Sequence, residues 1–281
     1  MDRALEKWIE ANPYLLPIAH VQEIVARAAA APSGSAPAIG EPPPESYREE
    51  HARGVPLMRS ESFRVDLGPA ADALDRIVTA LADATDIAPE LRTEARTLKD
   101  QYSAAPEERA DALRWLVDGA PPERAPAQAG LVRFLGWAAL RAALAPQLAA
   151  YDAWRGAGEN EKWMQGHCPA CGSQPAVARL SPGDVMRQRS LICACCGSEW
   201  RFRRIGCPHC GNDVSDRLQI MEIEGDEPLR IDACEECKGY VKTYAGNDPR
   251  HVALADWTTL HLDLVAQERG YTRLGASLVE L

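Results

Sequence analysis

Cys168-Pro-Ala-Cys171-Gly, Cys193-Ala-Cys-Cys196-Gly, Cys207-Pro-His-Cys210-Gly and Cys234-Glu-Glu-Cys237-Lys-Gly are four Cys-x-x-Cys turns within residues 168–237, a stretch that holds all nine cysteines of the chain. Two thiolates spaced three apart on a tight turn can grip one metal ion, and a glycine after the second supplies the positive φ that turns backbone N–H groups towards sulfur. Each turn is then half of a tetrahedral site. Twenty-one residues lie between Cys171 and Cys193 and twenty-three between Cys210 and Cys234, room for a short hairpin in each interval. Neither a disulfide framework nor inert buried thiols need Pro and Gly in this register.

Sequential pairing puts Cys168, Cys171, Cys193 and Cys196 on one ion and Cys207, Cys210, Cys234 and Cys237 on a second. Closing local loops favours it over an interleaved arrangement by only ~1 kcal/mol, because loop entropy grows logarithmically with length. The stronger argument is geometric, since each interval carries two strand-like runs and a turn. The two units also repeat with a period near forty residues, Cys168 mapping to Cys207 and Cys193 to Cys234. Four thiolates close the coordination sphere, so the ions are expected to staple the fold and to catalyse nothing. Iron and zinc both accept this donor set. Cys195 is left as a spare thiol, and His167 and His209, beside ligands, read as surface residues of the knuckles.

At 281 residues the chain has room for two domains, and cysteine is confined to the part after residue 167. The net charge of −10 opposes a general nucleic-acid binder, although residues 161–245 carry only −1 of it, 11 Lys/Arg against 12 Asp/Glu. Acidic and basic residues alternate through the first ten positions, which is unlike a secretory signal. The most apolar stretch, Leu131 to Ala145, is interrupted by Arg133 and Arg141 and is shorter than the ~20 residues that cross a bilayer. A cytoplasmic protein with no membrane contact is expected.

Ile18, Val21 and Val25 recur at helical spacing, and Pro42, Pro43 and Pro44 end a run, about 32–46, composed like a linker. Ala70, Ala73, Leu74, Ile77, Val78 and Leu81 form one face of an amphipathic helix, which Leu91, Ala95, Leu98 and Tyr102 continue. Pro106 opens another helix with Gly119 past its end, and the segment of Phe134, Leu135, Trp137, Leu140 and Leu144 is apolar enough for the centre of a bundle. Between the knuckles the period changes to two, in Ala176–Leu180, Val185–Ile192, Trp200–Ile205, Leu218–Ile223 and Tyr240–Tyr244, with turns at Ser181–Asp184 and Glu224–Pro228. Asp256 to Gly270 reads as a closing helix.

The run Trp200-Arg-Phe-Arg-Arg-Ile205, with Arg187 and Arg189 upstream, is the one concentrated basic and aromatic patch. It offers an alternative function, nucleic-acid binding by a zinc-ribbon protein. A second alternative is a Cys-x-x-Cys thiol oxidoreductase, for which the strand–helix setting of such motifs is lacking.

The residues are similar to those of the FdhE proteins, accessory factors for formate dehydrogenase. The resemblance runs through His167-Cys-Pro-Ala-Cys-Gly-Ser-Gln-Pro175, Arg189-Ser-Leu-Ile-Cys-Ala-Cys-Cys-Gly-Ser-Glu-Trp200, Arg204-Ile-Gly-Cys-Pro-His-Cys210 and Ala233-Cys-Glu-Glu-Cys-Lys-Gly-Tyr-Val-Lys242, and continues from Asp256-Trp to Gly270-Tyr-Thr-Arg273. It implies a protein without enzymatic activity that is needed for active formate dehydrogenase and acts on its catalytic subunit before assembly or export. It also implies rubredoxin-like sites on the same eight cysteines.

The expected fold is α+β. A helical bundle over 1–160 precedes two tandem rubredoxin-like or zinc-ribbon β modules, 161–205 and 206–245, and a helical segment over 246–281. Two tetrahedral ions, iron or zinc, a formate dehydrogenase subunit as partner and self-association left open complete the reading.

Overall fold

The computed structural model describes residues 3–30, 42–118, 125–181, 188–193, 195–224, 228–246 and 256–274. Two compact units emerge, one of residues 1–40 with 65–149 and one of 41–64 with 150–281. The first is helical: α1 (Arg3–Ala11), α2 (Leu16–Ala29), α4 (Gly68–Asp83), α5 (Pro89–Ala104), α6 (Glu107–Asp118) and most of α7 (Ala129–Trp154). α3 (Tyr47–Ala52) lies in the second unit.

The helical unit follows its apolar periodicity. Ala70, Ala73, Leu74, Ile77, Val78 and Leu81 are all buried along one face of α4, beside Ala95, Leu98 and Tyr102 of α5. Arg76 departs from the expected solvent side. Its guanidinium donates to the carbonyls of Ala28 and Ala29 at 3.1 and 3.4 Å, and Arg96 donates to Ala82 O at 3.1 Å, so two arginines satisfy the open C-terminal carbonyls of neighbouring helices. Val132, Leu135, Trp137, Leu140 and Leu144 of α7 are buried. A Cβ on Gly136 would come 2.4 Å from Leu116, so the glycine is what lets α6 and α7 approach. No helix among the described residues is long and apolar enough to cross a membrane.

The second unit is organised by a sheet of order β3-β2-β1-β6-β5-β4, with β7 on β6. Its strands are β1 (Pro175–Ser181), β2 (Gln188–Cys193), β3 (Glu199–Phe202), β4 (Leu218–Glu222), β5 (Leu229–Cys234), β6 (Gly239–Ala245) and β7 (Thr272–Arg273). The sequence repeat is a topological repeat: knuckle, strand, strand, knuckle, strand, each set an antiparallel meander. The meanders fuse edge to edge through a parallel pair, Val177 opposite Lys242 to Leu180 opposite Ala245. That fusion was not contained in the sequence reading, which had two separate modules. Nor was β5, whose Leu229, Ile231 and Ala233 are buried while Arg230 and Asp232 alternate with them. α8 (Leu260–Glu268) supplies Leu262 and Ala266 to a core with Val177, Ile231, Tyr240 and Tyr271. The turns expected at Ser181–Asp184 and Glu224–Pro228, the cap at Gly119 and most of the linker at 32–46 lie largely or wholly outside the described residues.

A buried ionic network ties the closing segment to β6. Lys242 Nζ donates to Asp263 Oδ2 at 2.8 Å and to Asp256 O at 2.7 Å, Tyr240 Oη donates to Asp263 Oδ1 at 2.7 Å, and Arg273 pairs with both aspartates. Burial raises the Asp256 carboxyl but Arg273 and Lys242 outweigh it, so its pKa ends below the ordinary value.

Candidate metal centres

The eight cysteines assemble as two groups of four, Cys168, Cys171, Cys193 and Cys196, and Cys207, Cys210, Cys234 and Cys237. Within each group the sulfurs all lie within 4.8 Å of one another. The Cys168–Cys196 and Cys171–Cys193 sulfurs are 3.5 Å apart, and the Cys207–Cys237 and Cys210–Cys234 sulfurs 3.7 Å. A tetrahedron of ~2.3 Å metal–sulfur bonds has edges of ~3.8 Å, so both groups fit a zinc- or iron-sized ion. Among the described residues no His, Asp or Glu joins either group.

The local reason is the knuckle turn. Gly172, Gly197 and Gly211 have φ of 79°, 79° and 78°, and their N–H groups donate to the carbonyls of Cys168, Cys193 and Cys207 at 2.9, 3.0 and 3.0 Å. In the fourth knuckle the left-handed position falls to Lys238, φ 55°, one residue before its glycine, and Gly239 N–H donates to Cys237 Sγ at 3.4 Å.

Electrostatics separates the groups. In the first, burial and contact with neighbouring thiols push Cys168, Cys171 and Cys193 well up, whereas hydrogen bonds from Cys168, Cys171 and Cys193 push Cys196 well down. Four buried thiolates repel, and only a cation lets all of them ionise. In the second, burial raises Cys207. At Cys234 burial is outweighed by N–H groups of Cys237 and Glu236 together with Asn212 and Cys210, and its pKa falls to about 7.

Cover separates them further. All four cysteines of the first group are buried, while Cys210 is exposed and Cys237 partly so. A strap of residues 42–64 lies over the first knuckle, Leu57 N–H donating to Pro169 O and Met58 N–H to Ala170 O, both at 2.9 Å. Tyr151 Oη donates to Pro169 O at 3.0 Å and Trp163 Nε1 to His167 O at 2.9 Å. Behind them Tyr47, His51, Tyr151, Trp154 and Trp163 pack as a ring cluster, with His51 stacked on Trp163 at 5.0 Å between centroids. The sequence reading missed this strap. Its signal was there in Tyr47 and His51, one helical turn apart, but nothing local says which surface they cover.

Three further sequence readings meet the structure here. His167 and His209 are not surface residues: His167 Nε2 lies 3.1 Å from Gly54 O, and His209 bridges Gln174 Oε1 at 3.3 Å and Tyr240 O at 3.2 Å. Cys195 is buried beside the first group and outside it, as the spacing left it. The basic aromatic patch is a surface only in part: Trp200, Phe202 and Arg189 are buried, so bases have no ring to stack on there, while Arg201 and Arg204 are exposed.

Residues 205–279 match the family described as FdhE, C-terminal domain. The chain is 33% identical over 122 residues to an FdhE homolog of Aquifex aeolicus, and 37% identical over 121 residues to one of Pseudomonas aeruginosa. These alignments take in 41% and 40% of this chain but only 42% and 38% of the relatives' own length. In fold, the crystal structure of the FdhE protein from Pseudomonas aeruginosa superposes with a TM-score of 0.64 at 24% identity, covering 97% of this chain and 91% of that one. In sequence, then, the chain is similar to FdhE proteins through its C-terminal part, and it spans about two fifths of the length of the relatives it matches.

Proposed function

We propose that this chain is a non-enzymatic accessory protein of formate dehydrogenase, acting on the catalytic subunit during maturation, and that it holds one structural metal ion on each group of four cysteines. The observation that carries the metal reading is the donor set: eight sulfurs in two tetrahedron-sized groups, with no His, Asp or Glu among the described residues in either. A bound ion would cross-link two knuckles and neutralise thiolates that burial alone opposes. Sulfur-only coordination leaves no position for water or substrate, which supports a scaffold over a hydrolase.

The link to formate dehydrogenase rests on the similarity to FdhE proteins. The acidic balance of the chain and the inward-facing Trp200 and Phe202 favour a protein partner over nucleic acid. The test is capture of the formate dehydrogenase catalytic subunit by the metal-loaded chain, with recovery of formate oxidation in cells lacking the accessory protein. Capture and recovery are expected. Salt-sensitive binding to nucleic acid with no capture of the subunit would overturn the reading.

A further inference from the structure

Beside the second cysteine group lies a cleft of about 570 Å³, walled by the third knuckle on one side and the edge strand β4 on the other. Its charged lining is Arg189, Arg204, Arg230 and Asp232, with Cys207 and Cys234 at the wall it shares with the cysteine group. Asp232 is engaged from three sides: Arg230 Nε at 2.8 Å, Arg189 Nη2 at 3.4 Å and Thr243 Oγ1 at 2.8 Å. One carboxylate thus faces two guanidinium groups, and Arg204 adds a third cation at the exposed rim. Arg189 is buried, donates through Nη1 to Gly206 O at 2.8 Å, and leaves its Nε without a hydrogen-bond partner among the described residues.

Next to this charge the cleft is apolar. Ile205 and Ile220, 54% and 57% exposed, both line it, one beside the third knuckle and one on β4, so the two exposed side chains share one site. Ile220 lies on β4, whose outer backbone edge is open among the described residues, the geometry that accepts an added strand. Among the described residues no Phe, Tyr or Trp lines the cleft, which leaves His209 as its one aromatic ring and disfavours a run of stacked bases.

We propose that this cleft binds a carboxylate carried on an extended peptide segment of a protein partner, the side chain engaging the arginines while the peptide backbone runs along β4. The formate dehydrogenase reading enters only in saying whose segment it is. Guanidinium forks match carboxylate geometry, and Ile220, paired with Asp232 across the sheet, shares its face with the charge, so the two isoleucines take apolar residues two positions along an extended chain from the carboxylate.

The test uses the full metal-loaded chain and fluorescence anisotropy with a labelled decapeptide that carries glutamate and valine in turn at every second position with serine between, against its glutamine–valine twin. The glutamate peptide is expected to bind, and the twin to bind at least about tenfold more weakly. Arg204→Glu, at the exposed rim, should weaken the glutamate peptide by a similar factor with metal content unchanged, and Arg201→Glu, outside the lining, should not. Ile220→Pro should weaken both peptides. Equal affinity for the twins, indifference to Arg204→Glu, or displacement of the peptide by single-stranded RNA at lower concentration would overturn the proposal. If only Arg189→Gln and Arg230→Gln act, and by releasing metal, the arginines balance thiolate charge and the cleft is no binding site. The two readings separate cleanly. Arg204-dependent peptide binding with no capture of formate dehydrogenase subunit would leave the cleft and remove the accessory reading, whereas capture unaffected by Arg204→Glu, with twin peptides bound alike, would do the reverse.

Discussion

The two cysteine groups share a sequence pattern, a strand order and a sulfur geometry, and differ in what lies over them. The first is enclosed by the strap, the ring cluster and the turn before Cys168; the second opens to solvent at Cys210 and borders a cleft. A duplicated motif therefore fixes the sulfur geometry, and the segments that were not duplicated fix accessibility. The first group is built as a fold centre and the second as a surface feature held by the same device.

The largest effect should come from the ligands themselves. Cys168→Ser is expected to unfold the first module and release the strap, since structural zinc sites contribute on the order of 10 kcal/mol to folding. Cys210→Ser should cost one ion yet keep most of the sheet, because β5 and β6 also pack on α8 and on the Lys242 network. Circular dichroism, limited proteolysis and metal content measure both; equal collapse would break the comparison.

That network provides the next test. Lys242→Met leaves Asp263 and Asp256 buried with Arg273 alone, and removing one partner of a buried pair costs roughly 3–5 kcal/mol. Its pH dependence has a definite sign. The folded Asp256 carboxyl titrates below its unfolded value, so its contribution is complete above about pH 4 and is lost as pH falls through the lower, folded value. Denaturant titrations of wild type and variant at falling pH should converge; a gap that widens in acid would contradict this.

Gly166 tests how the knuckles meet. A Cβ there would lie 1.7 Å from Pro208 O, a clash with backbone of the third knuckle, so Gly166→Ala should force the first and third knuckles apart at a cost of ~2–3 kcal/mol in thermal unfolding. An unchanged melting temperature would show that the contact carries no energy.

The smallest effect isolates cover from conformation. Gly172 and Gly211 hold the same place in their knuckles with φ of 79° and 78°. At Gly211 a Cβ meets nothing closer than Arg203 at 3.4 Å, so Gly211→Ala should cost only the ~1 kcal/mol of a left-handed alanine. At Gly172 it would also press on Arg59 at 2.8 Å and Pro56 at 3.0 Å, and Gly172→Ala should cost ~2 kcal/mol, because the strap must shift.

How much of this was legible follows range. The four knuckles, their pairing into groups and the amphipathic faces of α4 and α5 are local patterns, written as spacing in Cys168–Cys171 or Ala70–Leu81 and so open to reading. The parallel join of β1 to β6 was not, because residues 177 and 242 meet only in the fold and neither strand's alternation names its neighbour. The strap was missed for the same reason. β5 was a different failure: Leu229-Arg-Ile-Asp-Ala alternates visibly, but five residues between a turn and a knuckle are too short a run for alternation alone to fix.

Timed chelation of the full chain, with alkylation of released thiols read residue by residue in a mass spectrometer, tests the central claim most directly. Two ions per chain are expected, the first leaving as Cys207, Cys210, Cys234 and Cys237 become labelled together while Cys168, Cys171, Cys193 and Cys196 stay protected. Labelling that mixes the groups, or that opens the strap-covered four first, would contradict it.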